Sequence, residues 1–351
     1  VKRLAAAGRI PTPRVLYCGP FVGARRKTFK NTVLIEDASE APGIVEQVAR
    51  LGASFVKLYD RLTTAHIEAL QAAARERGLR TMGHVPAAYT VEASGIREVQ
   101  HLFGVAMPEQ LKPPSLLMRL ADWRSVGDDR LKQVTEHCAT HGIGNTPTLV
   151  SLSTMTHFRD YEAAGGSREA RCSPALFHDI VWNPRFGGAL GEVVDLPFLE
   201  EVVLPTLEKK RRLVKMLHEA GAELYLGTDV LQPFTSPGLA LHQEMEQFAQ
   251  AGIGLEEVWR LATRAAGDRL GVQGLGVIDV GHPADVLLFT KDPTVDLAAM
   301  DSLVAVIRDG RLFTRDALDE ACNLALGYYR SPLVRVVAAR AAQAAKEKAL
   351  R

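Results

Sequence analysis

The sequence lacks the features that mark membrane-spanning, disulfide-stapled or nucleic-acid-binding chains. No apolar run approaches the roughly 20 residues that a helix needs to cross a bilayer, so no membrane partner is expected. The four cysteines are scattered and form no CxxC pair, which argues against both a disulfide framework and a zinc knuckle. Basic and acidic residues nearly balance, at 42 and 41, so neither nucleic acid nor an acidic substrate is indicated as a partner.

An initiating methionine and a visible signal peptide are also missing, because the chain begins at Val1. The opening VKRLAAAGRI is typical of a helix end that runs into a loop, so we expect the chain to start inside a fold. The cellular location and any homo-oligomer are left open. What the sequence does have is an ordinary globular composition, with 47% hydrophobic residues over 351 positions. That is enough for one large domain with an appendage.

Short apolar runs alternate with helical segments along most of the chain. This alternation predicts an α/β fold with a parallel sheet and right-handed crossovers. Six strands are predicted, near residues 15, 55, 81, 99, 147 and 225. The clearest helix is predicted over Asp128–His141, where Gly142 supplies the stop signal. Six strand–helix units are two short of a closed (β/α)8 barrel of the TIM type, so the predicted barrel is incomplete at its N-terminus.

Changes in composition and residue pattern divide the chain into three predicted segments. Residues 1–268 carry the alternating pattern and are assigned to the barrel domain. Residues 269–315 are glycine-punctuated β runs with a hairpin-like Asp309-Gly310 turn, which predicts a small β domain. Residues 316–351 are alanine-rich and basic, which predicts a C-terminal helical tail.

Lys57 lies in the predicted strand FVKLY, which a barrel would bury on both faces. Burying a lysine costs several kcal/mol unless the amine is paired or neutralised. The amine could form a Schiff base with a carbonyl substrate. It could instead react with CO2 to give a carbamate, an anionic oxygen ligand able to bridge two metal ions. The remaining interpretation is a lysine at the C-terminal end of the strand, paired with a carboxylate.

His84, His101 and Asp229 also follow apolar runs that predict strands. The C-terminal ends of parallel barrel strands open on one face, so these side chains and Lys57 should converge there. A lone histidine at such a position is more often structural than a ligand. Two of them on successive strands beside a buried lysine favour a divalent metal ion such as Zn²⁺. Asp229 completes the set as a ligand or proton acceptor, although its GTD context also fits a helix N-cap.

Two further residues are candidates for substrate contact. Tyr59 points the same way as Lys57 by strand alternation. His178 falls in residues 153–200, which have little periodicity and predict a long loop over the active face. The other histidines, including His137 and His141, fall on predicted helices or loops and are interpreted as surface or structural residues.

Several motifs, taken together, resemble one family. They are GRIPTPRVLYCGP, FVKLYD, MGHVP, GIREVQHLFG, NTPTLV, GTDV, RLATRAAGDRLGV and GVIDVGHPADVLLFTKDP with VIRDGRLF. The sequence thereby resembles the metal-dependent amidohydrolase superfamily, in particular its imidazolonepropionase-like and Xaa-Pro dipeptidase-like branch. The resemblance covers nearly all of residues 8–315.

The resemblance implies a (β/α)8 barrel with a small β-sandwich, acting as a hydrolase on a C–N bond. The expected substrate is a small molecule with an amide, cyclic amide or dipeptide-like bond. Lys57 would be carboxylated by CO2 and, with His84, His101 and Asp229, would bind one or two divalent ions, with zinc expected. Manganese and iron suit the same donors. A hydroxide activated by the metal would attack the carbonyl carbon, while Asp229 carries the proton to the leaving amine.

The sequence departs from the family pattern at two points. Gln100 precedes His101 where the family usually has glutamate, and the HxH pair of the family's first strand occurs nowhere in the sequence. The N-terminal segment that would hold HxH is therefore expected to be absent. We hypothesise that this chain binds metal weakly or not at all and has little activity.

Two other functions stay open at this point. One is a Schiff-base aldolase or lyase with Lys57 as nucleophile, which borohydride would trap with a carbonyl substrate. The other is a non-catalytic binding remnant, which would fold without metal and without turnover even with the N-terminal part restored. Activity that is sensitive to chelators and requires bicarbonate would instead favour the carbamate.

Overall fold

A computed structural model of the chain describes residues 13–25, 27, 30–59, 61–107, 122–184, 196–230 and 232–349. These residues form two compact units. The first takes in Val1–Leu120, Ser125–Thr146 and Glu219–Glu223, and the second Ala121–Arg124, Pro147–His218 and Leu224–Arg351, in both cases as far as they are described. The predicted helix end at the start of the chain and residues 185–195 of the predicted loop lie outside the described residues.

The first unit is built on a six-stranded parallel sheet in the order β2-β1-β3-β4-β5-β6. Its strands are β1 Phe21–Gly23, β2 Thr32–Leu34, β3 Phe55–Leu58, β4 Arg80–Gly83, β5 Glu98–Gln100 and β6 Gly144–Thr146. Its α-helices are Ala41–Arg50, Thr64–Glu76, Val91–Ser94 and Asp128–His141. From β2 onward, strands and helices alternate, which is the arrangement expected of parallel crossovers.

The local sequence explains where these elements begin and end. All four residues of β3 are buried, as expected for a strand covered on both faces. Thr63 caps the following helix by accepting a hydrogen bond from the backbone N–H of His66, 3.2 Å away. The helix Asp128–His141 ends at Gly142, which adopts φ 58°. At the end of β4, a side chain on Gly83 would overlap the carbonyl oxygen of Leu58, so glycine allows β3 and β4 to approach closely.

The second unit combines helices with a three-stranded antiparallel sheet in the order β7-β8-β9. The strands are β7 Val286–Phe289, β8 Leu303–Arg308 and β9 Arg311–Thr314. The longer α-helices are Leu204–Glu219, Leu239–Gln250, Leu255–Arg260, Ala266–Leu270, Arg315–Tyr329 and Pro332–Ala349. Asp309 and Gly310 both have positive φ and form the predicted hairpin turn between β8 and β9. Across the described helices, length and hydropathy never combine in a way that would let one cross a bilayer.

The sequence predicted four strands of the parallel sheet near their observed positions, those at residues 55, 81, 99 and 147. The first strand begins later than predicted, at Phe21, and β2 was not predicted. The prediction of a strand over Leu224–Val230 is wrong. Within this segment only Leu224 pairs, and it forms a single isolated bridge. Just before it, the carbonyl oxygen of Glu223 accepts a hydrogen bond from the backbone N–H of Asn145 at 2.9 Å. At Asp229 the backbone turns to φ 51°, which ends any extended conformation.

The described part of the predicted loop 153–200 contains several short helical turns. These are the α-helical turns Val150–Ser153, Tyr161–Ala164, Arg168–Arg171 and Leu196–Phe198, the 3₁₀ segment Thr154–Asp160, and the π-helical turns Phe177–Val181 and Leu199–Val203. Side-chain caps start two of these turns, since Asp160 accepts from the N–H of Ala163 and Ser167 from the N–H of Ala170. The absence of long-range periodicity in the sequence therefore reflects a chain of single turns.

A buried lysine and a buried glutamate lie on two helices of the second unit and influence each other electrostatically. Lys210 is 1% exposed and Glu244 is fully buried. One carboxylate oxygen of Glu244 accepts a hydrogen bond from the backbone N–H of Val150 at 2.7 Å. Burial raises the pKa of Glu244 to about 8, against the opposing effect of that N–H and of Lys210. Burial likewise lowers the pKa of Lys210 to about 7, while Glu244 opposes this change.

Glu169 ties the short turns to the helix Leu239–Gln250. Its carboxylate accepts a hydrogen bond from Gln243 at 2.5 Å and lies 3.3 Å from Nε2 of His157. Burial by itself raises the pKa of Glu169, but the hydrogen bonds from His157 and from the backbone outweigh burial and lower the pKa to about 2.

We expect Glu169 to make the second unit sensitive to acid. Its folded-state pKa lies below the unfolded value of 4.5, so its stabilising contribution is complete above pH 4.5 and is lost as the pH falls towards 2. The loss should be on the order of 2–3 kcal/mol. Glu169→Gln should flatten the dependence of the unfolding free energy on pH between 4.5 and 2, measured by urea denaturation.

The matched control for this prediction is Glu162→Gln, which changes an exposed carboxylate in the same stretch of turns. That variant should keep the pH dependence of the unaltered protein. Identical slopes for Glu169→Gln and the unaltered protein would show that the His157 contact contributes nothing to acid stability.

Candidate metal site

Three of the predicted site residues lie at one edge of the parallel sheet. Lys57 is in β3, and His84 and His101 are the first residues after β4 and β5. Because β3, β4 and β5 are parallel neighbours, their carboxyl ends share that edge. The backbone fixes both histidines, since the N–H of His84 donates to the carbonyl of Leu58 at 3.3 Å and that of His101 to the carbonyl of Thr146 at 2.7 Å.

Lys57 is buried, with 7% of its surface exposed. Its Nζ donates a hydrogen bond to Oε1 of Gln100 in β5. The amide nitrogen of Gln100 in turn lies 2.9 Å from Sδ of Met82, the register partner of Lys57 in β4. The amine is therefore held by a neutral amide, and the orientation of that amide is set by contacts on both of its ends.

His84 is packed among aromatic rings and is 6% exposed. Its ring stacks on Phe103 with centroids 4.4 Å apart and lies against Tyr59 at 4.7 Å. His101 meets it edge-on, with ring centroids 5.2 Å apart and an angle of 75° between the planes. The two imidazoles are therefore adjacent, and one face of the pair is closed by carbon atoms.

The turn after β5 places His101 in an uncommon backbone conformation. His101 has φ 64° and Leu102 has φ 50°, both in the left-handed region that favours glycine. Phe103 then returns towards β4, where its carbonyl accepts a hydrogen bond from the N–H of Val85 at 3.2 Å. This turn brings the Phe103 ring onto His84 and the His101 ring to its edge.

The donor set of the first unit fits a divalent ion once Lys57 supplies an oxygen. Two imidazoles provide nitrogen ligands of the kind that zinc, manganese and iron accept. In the described residues of this unit, no three His, Cys, Asp or Glu side chains are grouped to hold an ion by themselves. Lys57 would supply a third donor from this cluster if its nitrogen carried a carbamate. The fit thus depends on that modification.

Cys18 lies close to the same residues, with Sγ 3.8 Å from Sδ of Met82. Burial raises the pKa of the Cys18 thiol, and the positive charge of Lys57 only partly opposes this. Without a bound ion the thiol is therefore protonated at neutral pH.

Asp229 and His178 belong to the second unit. The Asp229 carboxylate accepts a hydrogen bond from Nε2 of Gln232 at 3.1 Å. The His178 ring stacks on Tyr161 at 4.7 Å, and its Nε2 lies 3.1 Å from the Tyr161 carbonyl. Its Nδ1 lies 3.5 Å from a carboxylate oxygen of Asp179. The roles assigned to Asp229 at the metal and to His178 at the substrate stay predictions.

The contacts that Gln100, Met82 and Phe103 make here were not predicted from the sequence. In the sequence, Gln100 stands out only because the family pattern has glutamate at this position. Its place in β5, in the same sheet as the strand of Lys57, follows from strand periodicity. Phe103 follows His101 by two residues, but an aromatic residue after a strand carries no signal for stacking on a particular histidine.

The comparisons with known proteins concern both sequence and fold. The sequence profile described as the Amidohydrolase family matches residues 4–313 of the chain. No sequence among curated proteins matches the chain.

Several solved structures share the fold. A bottromycin amidohydrolase superposes with a TM-score of 0.72 at 23% identity, over 94% of this chain and 71% of that one. A Xaa-Pro dipeptidase with methionine bound in its active site gives 0.60 at 16% identity, over 89% and 71%. The A. niger ochratoxinase gives 0.58 at 13% identity, over 89% and 68%.

Proposed function

Because the chain belongs to the amidohydrolase family, whose enzymes act on carbon–nitrogen bonds, we propose that it is a metal-dependent hydrolase with Lys57, His84 and His101 as metal ligands. The observation that carries this proposal is the convergence of a buried lysine and two adjacent imidazoles at the carboxyl edge of β3, β4 and β5. The substrate class we propose is an amide, a cyclic amide or a dipeptide-like molecule.

We also propose that the parallel sheet is part of a (β/α)8 barrel. Support comes from the consecutive parallel pairing of β3 to β6 with helices between the strands, and from the likeness to the bottromycin amidohydrolase structure. The proposed division of the chain remains 1–268 for the barrel, 269–315 for the β-sandwich portion and 316–351 for the helical tail.

Lys57 would enter the metal site through reaction with CO2. The ammonium first loses one proton to solvent, and the freed lone pair then forms the N–C bond as one C–O π bond of CO2 breaks. A second proton leaves the nitrogen to solvent, which gives the carbamate anion. The remaining N–H still donates to Oε1 of Gln100, so the hydrogen bond survives the modification. Since Gln100 is neutral, it places no second negative charge beside the carbamate, as a glutamate at this position would.

The chain's own groups then have distinct tasks. A bound divalent ion supplies Lewis acidity and makes a coordinated water acidic near neutral pH. His84 and His101 would hold the ion through ring nitrogens, and the ring of Phe103 excludes water from one side of His84. We propose that Asp229 accepts the proton of the attacking water and delivers it to the leaving amine. Tyr59, whose ring lies against His84, would donate a hydrogen bond to the substrate.

Chelation and reconstitution test this proposal. We expect a chelator to abolish hydrolysis of a panel of amides, lactams and Xaa-Pro dipeptides. Zinc, manganese or iron added with bicarbonate should restore it, because the carbamate needs CO2. The metal is supplied in excess, since the absence of HxH from the 351 residues is a reason to expect weak retention. Elemental analysis of the reconstituted protein gives the metal bound per chain.

The same experiment separates the proposal from its rivals. Borohydride trapping of a carbonyl substrate on Lys57, without dependence on metal, would replace hydrolysis with Schiff-base chemistry. Folded protein that binds no added metal and turns over no member of the panel would indicate a binding function instead.

A further inference from the structure

A pair of histidines lies on one face of the helix Asp128–His141. His137 and His141 are four residues apart, the spacing that places side chains one above the other on a helix. Their ring centroids are 4.2 Å apart and the ring planes are inclined by 30°. Both rings line an open depression together with Gln133 and Glu136 of the same helix. The site shares no residue with the candidate metal site described above.

The hydrogen bonding of His141 leaves one ring nitrogen ready to bind a metal. Its Nδ1 lies 3.0 Å from the backbone carbonyl oxygen of His137. A carbonyl oxygen only accepts hydrogen bonds, so Nδ1 is the donor, and in the neutral ring Nε2 is the nitrogen with the lone pair. Metal-binding histidines in proteins are commonly oriented in this way, by donating the other ring N–H to a carbonyl.

His137 is a suitable second ligand. The His137 ring is half-buried and lies against the His141 ring, with 4.2 Å between the ring centroids, so the two rings are held side by side. A neutral imidazole is the form that binds metal. Both residues also lie in the last turns of the helix, where the negative end of the helix dipole favours a bound cation.

The charged residues around the two histidines determine how many protein ligands a bound ion would have. Glu92 is held in a two-point ion pair with Arg130, at 2.6 and 2.9 Å, and is therefore not free to act as a third ligand. Arg97 donates to the carbonyl of His141 at 3.3 Å and, like Arg130, adds positive charge nearby. An ion bound here would keep water in its remaining coordination positions.

We propose that His137 and His141 form a surface site for a divalent transition-metal ion, bound through two imidazole nitrogens from one helix face. Among divalent ions the preference should follow the general order of stability, with Cu²⁺ bound more tightly than Ni²⁺ or Zn²⁺. The site adds to the proposed hydrolase and does not depend on it.

Titration of the chelator-treated full chain with Cu²⁺ at neutral pH tests the site. The double variant His137→Ala/His141→Ala should bind one equivalent fewer than the unaltered chain. Each single variant should weaken binding of that equivalent by about tenfold or more. Circular dichroism verifies that the variants keep their helix content, so a loss of binding is not a loss of fold.

A rescue variant makes the test specific to the spacing. Gln133 precedes His137 by four residues on the same face, so Gln133→His in the His141→Ala background should restore the lost equivalent one turn earlier. Thr140→His in that background places the two histidines three residues apart instead of four. Its Cu²⁺ binding is compared with that of the Gln133→His variant. Full Cu²⁺ binding by His137→Ala/His141→Ala would overturn the proposal, and so would failure of the Gln133→His rescue.

The test also distinguishes this site from the proposed active site. A His84→Ala/His101→Ala variant should keep the equivalent bound by the helix pair. Loss of that equivalent in this variant, with His137 and His141 intact, would assign the copper to the active site and would overturn the helix site alone.

Discussion

Replacing Lys57 by methionine should remove metal from the active site and lower kcat/KM by about 10³-fold or more, equivalent to about 4 kcal/mol of transition-state stabilisation. The variant keeps a side chain of similar length but cannot form a carbamate, so the two imidazoles lose their third donor from the cluster. Metal per chain and hydrolysis of the best panel substrate are measured together after reconstitution.

The same change should leave the fold as stable as before or make it more stable. Lys57 is buried, and exchanging a buried charged side chain for an apolar one of similar volume is often neutral or stabilising. Lys132→Met on the helix Asp128–His141 is the control, because its side chain is 69% exposed. Normal turnover by the Lys57→Met variant would refute the assigned role. Lost turnover with unchanged metal content would point to Schiff-base chemistry.

Replacing Glu244 by alanine should destabilise the second unit by about 1–3 kcal/mol. The change leaves the buried N–H of Val150 without its acceptor and removes the nearby carboxyl group that acts electrostatically on Lys210. The Nζ of Lys210 also lies 5.2 Å from the ring of Trp123, a contact too weak to replace the lost partner. The midpoint of urea unfolding measures the effect.

Two comparisons determine whether the cost comes from the buried pair. Glu246→Ala, an exposed change on the same helix, should alter the unfolding free energy by no more than about 0.5 kcal/mol. The double variant Lys210→Met/Glu244→Leu should lose less unfolding free energy than Glu244→Ala. It removes the buried amine together with the carboxyl group, so no buried amine is left without that group. Equal losses in Glu244→Ala and the double variant would show that packing alone accounts for the effect.

The sequence predicted the parts of the fold that depend on local chemistry. The helix Asp128–His141 has the bounds that were predicted, because two acidic residues start it and Gly142 can adopt the positive φ that ends it. The strand β2 was missed because it is only three residues long and exists through its pairing with β1. The segment Leu224–Val230 has a strand-like composition, but composition does not show where pairing stops.

The clustering of Lys57, His84 and His101 was predictable because parallel topology alone carries strand ends to one edge. The partner of Lys57 was not, since the orientation of Gln100 depends on Met82 in a third strand. The Lys210–Glu244 pair was also invisible in the sequence. Its members are 34 residues apart on two helices, where charged residues are usually solvated.

The left-handed backbone at His101 bears on how selection acts on this site. Glycine would relax this position at once, while any other residue costs on the order of 1 kcal/mol or more. A lineage selected only for a durable fold would therefore drift towards glycine and discard the imidazole. Histidine at position 101 thus costs backbone free energy that selection for folding alone would not retain. Under relaxed selection on catalysis, it should be among the first site residues to be replaced.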